Sequence, residues 1–432
     1  MTTYRKRIAD GILAEKLSYM GAVLVQGPKW CGKTTTARQA AKSEAILDDT
    51  AKGRSNRLLA QNRPEKLLEG ASPRLIDEWQ LEPSLWDAVR SAVDNGGRGM
   101  FILTGSAVPP EAESGDDNGK QAARHTGTGR IARMSMRPMS LWESGESTGE
   151  VSLERLFSGE DPTGAGSERE LEDIGELICR GGWPGTLDLQ GRAARGPAKE
   201  YFTAIAESDI SRVDNTLRDP ERVRRLMRSL ARLQGTQASA AVICADMKAN
   251  DTDSLTEDTV YSYLKALRKI FVTEDLRAWC PNLRCKTPLR TTDTRYYADP
   301  SIAAAAMGIG PGDLLNDLPT FGLYFETLAV RDLRTYAEAL GGSLYHYLDK
   351  SGLECDAVIS LDNGAYGLVE IKLGGETLIG KGIKSLEMLT AKIDTTRMKP
   401  PSFRMVLVAT GNIAYRRRED GIIVCPIGCL KP

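Results

Sequence analysis

The sequence predicts an α/β protein whose N-terminal part is a doubly wound parallel sheet. Short apolar runs, each long enough for a buried strand, alternate with helical patterns over the first 150 residues. The first of these runs leads through a glycine-rich loop into a helix. Three further parts follow, and we expect their boundaries at residues 151–235, 236–312 and 313–432.

Composition limits the class of protein. The chain has 432 residues, of which 41% are hydrophobic and 27% charged, so it is globular and long enough for two or three cores. The net charge of −1 excludes a generally basic nucleic-acid-binding protein. No apolar stretch approaches the roughly 20 residues that span a bilayer. We therefore expect a cytoplasmic protein without a membrane partner, with its 8 scattered cysteines reduced.

A phosphate-binding loop is the most specific motif. It fits the pattern G-x-x-x-x-G-K-[ST], follows the apolar residues 22–25 and precedes a helical pattern. Backbone N–H groups of such a loop and of the helix N-terminus bind phosphates. We expect Lys33 to reach the β- and γ-phosphates and the Thr34 hydroxyl to bind Mg²⁺. The predicted nucleotide-binding residues are Gly27, Pro28, Lys29, Trp30, Cys31, Gly32, Lys33, Thr34 and Thr35.

Two later strands supply the partners that this loop requires. Residues 75–78 end in Asp77, which we expect to hold Mg²⁺ through water, and Glu78, which we expect to polarise the attacking water. The apolar lead is short, so an acidic turn after an edge strand is the alternative. Residues 100–106 form a further buried strand that ends in hydroxyls, and we expect Thr104 to sense the nucleotide, with Ser106 as the second choice. Together the motifs predict an ATP hydrolase.

Arginines raise two further possibilities. Arg130 follows a polar stretch, and we expect it to reach the γ-phosphate of its own or of a neighbouring subunit, which would imply a homo-oligomer. A solvated arginine is the alternative. A second set of arginines crowds a helical segment, where a solvated helix face is the main interpretation and nucleic-acid or partner contact the other. These are Arg222, Arg224, Arg225, Arg228 and Arg232.

The segment 236–312 predicts a winged-helix-like module. A short helix over residues 240–248 precedes a second helix capped by Thr256, and two strands then flank a basic loop at 284–290. One interpretation is DNA contact through Lys265, Arg268, Lys269 and the basic loop. The other is a packing or assembly module.

Near the C-terminus, a carboxylate pattern resembles that of restriction-endonuclease-like nucleases. Asp356 lies on one strand, and Glu370 and Lys372 lie on the next, separated by a short hairpin. Alternation along the strand places Glu370 and Lys372 on one face, and hairpin pairing brings Asp356 beside them. We expect Glu326, Asp356 and Glu370 to hold one or two Mg²⁺ ions, with Lys372 orienting the water. The alternative is a solvated strand face.

The chain as a whole resembles bacterial and archaeal ATP-binding proteins that join an AAA+ ATPase domain of the archaeal-ATPase-like clan to a C-terminal domain of unknown function with a nuclease-like fold. The phosphate loop, the motifs at 75–78 and 103–106, Arg130, the Gly182-Trp183-Pro184 segment and the Glu326 and Glu370-Ile371-Lys372 region carry this resemblance. It implies a P-loop AAA+ domain over residues 1–150 that binds and hydrolyses ATP with Mg²⁺. It implies no substrate.

Two classes of function stay open. In the first, which is the one we expect, ATP hydrolysis is coupled to binding or processing of DNA or RNA by the winged-helix-like and nuclease-like parts. In the second, the protein is a regulatory ATPase switch with a catalytically idle nuclease-like scaffold, and its output is protein binding or assembly. Salt-dependent DNA binding would favour the first, because counterions compete for phosphate contacts.

Overall fold

The computed structural model describes residues 4–106, 127–213, 216–248, 255–280 and 292–432. The chain divides into two compact units. The first comprises the residues up to Arg137 together with Lys269–Phe271, and the second comprises Pro138–Arg268 and Val272–Pro432. The first unit therefore ends 13 residues before the expected boundary at 150, and most of the three later predicted parts falls within one unit.

The first unit alternates helices and strands. In chain order its elements are α1 (Ile8–Tyr19), β1 (Ala22–Gln26), α2 (Lys33–Ala40), β2 (Ser43–Ile46), α3 (Ala51–Asn62), α4 (Pro64–Leu67), β3 (Arg74–Asp77), α5 (Leu85–Asp94), β4 (Phe101–Gly105) and β5 (Ile131–Ser135). A 3₁₀ turn, Trp79–Leu81, follows β3.

The strands of this unit form a parallel sheet in the order β2-β3-β4-β1-β5. Residues 22–25 of β1 are all fully buried. Successive side chains on a strand point to opposite faces, so both faces of the sheet are covered there, as is usual for parallel sheets. The predicted parallel sheet is thus confirmed. Because its strands run in one direction, their carboxyl ends meet at one edge of the sheet, where ligands of such folds bind.

The second unit begins with helices. In chain order its elements are α6 (Leu141–Ser144), β6 (Val151–Ser152), α7 (Leu153–Phe157), α8 (Leu171–Arg180), α9 (Gly191–Ala204), α10 (Ile210–Arg212), α11 (Pro220–Leu233), α12 (Ala240–Lys248), α13 (Glu257–Lys269), β7 (Thr273–Leu276), β8 (Thr294–Tyr297), α14 (Pro300–Met307), α15 (Pro311–Asn316), α16 (Leu318–Ala339), β9 (Gly342–Leu348), β10 (Glu354–Leu361), β11 (Tyr366–Lys372), α17 (Glu376–Lys392), β12 (Phe403–Val408), β13 (Tyr415–Arg416), β14 (Ile423–Pro426) and β15 (Leu430–Lys431).

A mixed sheet forms the C-terminal part of this unit, in the order β13-β14-β12-β11-β10-β9. The β9, β10 and β11 strands pair antiparallel, whereas β11, β12 and β14 pair parallel. Apolar side chains of this sheet and of α17 form one buried cluster, which includes Leu368, Leu386 and Val406. The hairpin between β10 and β11 aligns Ala357 with Val369, as the sequence pattern predicts.

A fully buried ion-pair network lies at the centre of the second unit. Arg331 on α16 contacts Asp299 through Nη1 and Asp332 through Nη2, both at 2.8 Å. Asp299 also accepts a hydrogen bond from the Gly182 backbone at 3.0 Å, and Asp332 accepts one from the Leu141 backbone at 2.9 Å. Buried charges require such compensation, so this network ties the helices of the unit together.

The predicted winged-helix-like segment contains the expected order of helices and strands. Helices α12 and α13 precede the antiparallel pair of β7 and β8, and the Thr256 hydroxyl caps α13 by accepting from the Thr259 N–H at 3.2 Å. The basic loop at 284–290 lies outside the described residues. Arg268 is bound to Asp275 on β7 at 3.1 Å, so this arginine is already engaged within its own unit. The winged-helix assignment stays a prediction.

The arginines of α11 are also engaged by neighbouring groups. Arg224 pairs with Glu221 and Glu207, at 2.5 and 2.7 Å, and Arg232 pairs with Asp246 at 2.5 Å. These contacts support the solvated-face interpretation of the arginine run over the nucleic-acid one. Among the residues that the structure describes, no helix is both long and apolar enough to cross a membrane.

Candidate functional site

The phosphate-loop motif forms a tight turn between β1 and α2. Gly27 is the residue that this geometry needs, because a Cβ atom there would lie 2.0 Å from the Met136 carbonyl oxygen. Gly32, just before α2, has a φ of 101° that disfavours other residues. Arg7 supports the loop from beneath, since its guanidinium donates to the carbonyls of Cys31 and Arg137, each at 2.9 Å. The Arg7 hydrogen bonds and the two glycines therefore stabilise the conformation of the loop.

Lys33 lies inside this loop. Its side chain is only 7% exposed, and its ammonium group donates to the carbonyl oxygens of Gly27 at 3.0 Å and Pro28 at 2.7 Å. In this structure the lysine is therefore held by the backbone of its own loop. The ammonium group is nevertheless at the position from which a bound phosphate can compete for it, because it lies against the backbone that would surround the phosphate.

Two hydroxyl groups from different elements bind one carboxylate oxygen of a third element. The Thr34 hydroxyl of α2 donates to Asp77 Oδ1 at 2.8 Å, and the Thr104 hydroxyl of β4 donates to the same oxygen. The sheet order explains the meeting, because β4 lies beside β3 and aligns Thr104 with Asp77. The sequence predicts these three residues for one site, and the structure brings them together.

Glu78 directly follows β3 and has an unusual backbone. Its φ of 58° lies in the left-handed region, which is uncommon outside glycine and is often found at functional sites. Burial raises the pKa of its carboxyl group above the ordinary value, while the nearby Lys33 ammonium opposes this shift. The side chain of Gln80 donates a hydrogen bond to Glu78 Oε2. A partly buried carboxylate of this kind is suited to accept a proton.

Sequence reasoning overlooked Gln80, because a glutamine two residues after an acidic pair has no recognised meaning in a motif. It also overlooked the exposure of Trp30. This side chain is 53% exposed although it belongs to the phosphate loop, and its φ of 65° is left-handed. The sequence contains a hint of this exposure, because a short turn between two glycines has little room to bury a large aromatic side chain.

The donor set at Asp77 fits Mg²⁺. A threonine hydroxyl and an aspartate carboxylate, already 2.8 Å apart, are oxygen ligands of the type that this hard cation prefers. The ion usually keeps several waters and takes further oxygens from phosphates, so two protein groups are sufficient. Thr34 and Asp77 are the residues that would hold it.

Arg130 does not lie in this site, so it does not reach the γ-phosphate site of its own chain as expected. It immediately precedes β5, which runs parallel to β1, so it lies at the amino edge of the sheet while the phosphate loop lies at the carboxyl edge. Its guanidinium is bound to Asp94 at 2.7 Å. Arg130 therefore cannot reach a nucleotide in its own chain, and contact with a neighbouring subunit stays a prediction.

A second charged cluster lies in the second unit, where the nuclease-like site is predicted. The Lys372 ammonium lies 2.8 Å from both Asp356 Oδ2 and Glu370 Oε2. The Tyr296 hydroxyl donates to Glu326 Oε1 at 2.5 Å. Burial first, and then the Asp356 charge, raise the pKa of Glu326 to about 8 and that of Glu370 well above its ordinary value.

This cluster does not fit a metal ion. Within the described ranges, no three His, Cys, Asp or Glu side chains are grouped so that they could hold one. The expected convergence of Glu326, Asp356 and Glu370 within metal-ligand reach is therefore wrong. Lys372 lies between Asp356 and Glu370, and Glu326 is bound instead by the Tyr296 hydroxyl.

Comparisons with known proteins divide the chain into three matched stretches. An AAA domain model matches residues 20–144, and two models of domains of unknown function, DUF8612 and DUF4143, match residues 171–313 and 321–430. The match of the AAA domain model covers the parallel sheet of the first unit and the phosphate-loop motif. The restriction-endonuclease-like assignment of residues 313–432 stays a prediction.

Two curated relatives match most of the chain. An uncharacterised protein of Mycobacterium tuberculosis and one of Mycobacterium bovis are each 25% identical to this chain over 386 residues, which is 88% of this chain and 76% of each relative. Among solved structures, a Walker-type ATPase of Pyrococcus abyssi is 16% identical, with a TM-score of 0.42, covering 70% of this chain and 96% of its own.

Proposed function

We propose that this chain, with its AAA-type ATPase domain, hydrolyses ATP with Mg²⁺ at the carboxyl edge of the first unit's sheet. The observation that carries the proposal is the meeting of Thr34 and Thr104 at one oxygen of Asp77. Glu78 is the next residue after Asp77 and lies within the electrostatic reach of Lys33. These groups are the ones that a phosphoryl-transfer site needs for metal binding, phosphate binding and proton acceptance.

Each residue has a distinct task in this proposal. The backbone of the phosphate loop binds the β- and γ-phosphates, and Lys33 exchanges its bonds to the Gly27 and Pro28 carbonyls for bonds to phosphate. Thr34 and Asp77 would hold Mg²⁺, which would supply positive charge beside the phosphate oxygens. Glu78 accepts a proton from the attacking water. The Thr104 hydroxyl donates a hydrogen bond to Asp77 Oδ1 and senses the γ-phosphate through its contact with this oxygen.

Phosphate release by the full chain tests this proposal. The rate is measured with ATP at increasing Mg²⁺ concentration, in the wild type and in Asp77→Asn. We expect ATP hydrolysis in the wild type and a requirement for much more Mg²⁺ in the variant, because the carboxylate ligand is lost. Absence of ATP hydrolysis by the folded wild type in any Mg²⁺ concentration would overturn the proposal.

For the output of the ATPase, the second charged cluster favours a regulatory switch over a nuclease. The Lys372 ammonium lies 2.8 Å from both Asp356 and Glu370 and offsets part of their charge, so we favour an idle scaffold as the interpretation of this fold. Arg268, one of the residues expected to contact DNA, is paired with Asp275. Both observations weigh against a nuclease that contacts DNA through Arg268, so we favour protein binding or assembly as the output.

The two outputs are separated by one set of measurements. ATP hydrolysis is followed with and without DNA, RNA and Mn²⁺, and the same samples are examined for cleavage products. Stimulation by DNA or RNA that falls steeply with salt would support coupling to nucleic acid. Cleavage that disappears in Lys372→Met would show an active nuclease and overturn the idle-scaffold interpretation.

A further inference from the structure

Gln80 connects the proposed base to the neighbouring strand. It lies in the 3₁₀ turn Trp79–Leu81, and its Nε2 donates to Glu78 Oε2. Its other amide atom, Oε1, is buried and accepts no hydrogen bond from any described residue. The indole Nε1 of Trp79 is likewise buried without an acceptor among the described residues. Two unpaired polar atoms next to a proposed catalytic carboxylate require an explanation.

Both atoms crowd around Gly105 at the end of β4. A methyl group at Gly105 would lie 2.6 Å from Gln80 Oε1 and 2.9 Å from Trp79 Nε1. Gly105 follows Thr104, whose hydroxyl binds Asp77. The Gln80 amide therefore lies between the Glu78 carboxylate and the strand that carries the sensing threonine.

The chemistry of the amide explains its orientation. An amide presents a donor on one side and an acceptor on the other, whereas an ionised carboxylate only accepts. The NH₂ side must face Glu78, because two acceptors face to face would repel. This orientation leaves Oε1 toward Gly105, where it accepts no hydrogen bond from any described residue. The Gln80 amide thus donates to the Glu78 carboxylate while its own oxygen stays unpaired, which indicates that it is oriented by this carboxylate.

We infer that Gln80 is a positioning residue that fixes the Glu78 carboxylate toward the attacking water, and that the absence of a side chain at Gly105 leaves the space that this requires. The inference rests on the proposed ATPase function. It predicts an effect on turnover without an effect on nucleotide binding, since the hydrogen bond that Gln80 donates goes to the proposed base Glu78 and not to a phosphate-binding group.

Three variants test whether kcat falls while the affinity for ATP stays unchanged. Gln80→Leu removes the donor, and Gln80→Glu removes it at nearly constant size. Gly105→Ala displaces the amide from the other side. We expect each to lower kcat about 10- to 100-fold, as for loss of a hydrogen bond to a charged group, with ATP dissociation constants measured by calorimetry within about twofold of wild type. Melting curves report whether each variant folds.

A matched control comes from the same unit. Gln61 on α3 donates to Glu82 Oε2 at 2.8 Å in an exposed position, so Gln61→Leu removes a comparable bond outside the site. We expect wild-type kcat in this control.

The double variant Gln80→Leu/Gly105→Ala provides the sharpest result. If both substitutions act through one contact, the second should add little to the first, so the combined loss stays within about twofold of the larger single loss. Multiplicative losses would overturn the shared contact, and wild-type kcat in folded Gln80→Glu would overturn the positioning role. Neither result would touch the proposed function, which fails only if wild-type protein does not hydrolyse ATP.

Discussion

Thr34 donates a hydrogen bond of 2.8 Å to Asp77, although 43 residues separate them in the chain. The contact exists because α2 begins directly after the loop that follows β1, and β3 ends at the same edge of the sheet. It fixes the two proposed Mg²⁺ ligands relative to each other before any nucleotide binds. Preorganisation of this kind lowers the cost of binding the ion.

Lys33→Ala should abolish most ATP binding. The ammonium group makes charge-assisted bonds, and losing such a bond to phosphate should weaken affinity about 10- to 100-fold. Because Lys33 also holds two loop carbonyls, a small decrease in melting temperature is expected as well. Calorimetric titration with ATP measures the affinity. Lys42→Ala, at an exposed position just after α2, is the control, and unchanged affinity in Lys33→Ala would argue against the phosphate-loop assignment.

Glu78→Gln should bind ATP but turn it over slowly. The variant keeps Asp77 and Thr34 for Mg²⁺ while removing the proton acceptor, and loss of a general base costs about 10²- to 10⁴-fold in kcat. Single-turnover phosphate release, beside a calorimetric ATP titration, measures both quantities. Wild-type turnover would move the base to another residue.

Stability should fall with rising pH because of Glu326. Its pKa of about 8 in the folded protein lies above the ordinary value of 4.5, so the folded state holds the proton more tightly than the unfolded state does. The resulting stabilisation is complete below about pH 4.5 and is lost as the pH rises through about 8. Glu370 contributes in the same direction.

Thermal melting between pH 6.5 and 9 measures this effect. We expect a smaller decrease of melting temperature over that range in Glu326→Gln than in wild type. Glu387→Gln, at an exposed position on α17, serves as the control and should retain the wild-type slope. Equal slopes in all three proteins would show that Glu326 does not titrate in this range.

Divalent ions should not stabilise the protein when nucleotide binding is removed. In the Lys33→Ala background, Mg²⁺ linked to ATP is eliminated, and the Lys372 ammonium already lies between Asp356 and Glu370 in the second charged cluster. Melting temperatures with and without Mg²⁺ or Mn²⁺ should therefore agree. A rise that disappears on adding Asp356→Asn would instead reveal a metal site at this cluster.

Arg331→Met should destabilise the second unit strongly. Removing this guanidinium leaves Asp299 and Asp332 buried without their cation, and breaking such a buried pair costs about 3 to 5 kcal/mol. Chemical denaturation gives the free energy of unfolding. Arg397→Met removes an exposed ion pair with Asp394 and should cost less than about 1 kcal/mol. Similar costs in the two variants would contradict the structural importance of the buried network.

Part of the first unit could be predicted from the sequence, because β1 and β4 are largely apolar runs that lead directly into functional groups. The positions of Asp77 and Thr104 follow from this, since parallel strands align their carboxyl ends. The position of Arg130 was missed because its pairing with Asp94 depends on which end of β5 it occupies. Sequence motifs report neighbours along the chain, whereas reach to a phosphate depends on strand direction.

In the second charged cluster, the positions of the residues could be predicted but the contacts of their side chains could not. The order of Asp356, Glu370 and Lys372 and their hairpin were predictable from alternation and turn residues. Whether Lys372 would turn toward water or between the two carboxylates was not, because a long flexible side chain has several rotamers on one strand face. The decisive contact is therefore a property of packing around Glu370, which is 1% exposed.

The exposure of Trp30 gives the protein an intrinsic optical reporter. Trp79, Trp86, Trp183 and Trp279 are nearly or fully buried, so among the described residues only Trp30 and Trp142 have indoles substantially open to water. Water-exposed indoles emit at longer wavelength than buried ones, and Trp30 belongs to the loop that would surround the phosphates. Nucleotide binding could thus be followed by tryptophan emission without any attached dye, with Trp30→Phe identifying the source of the signal.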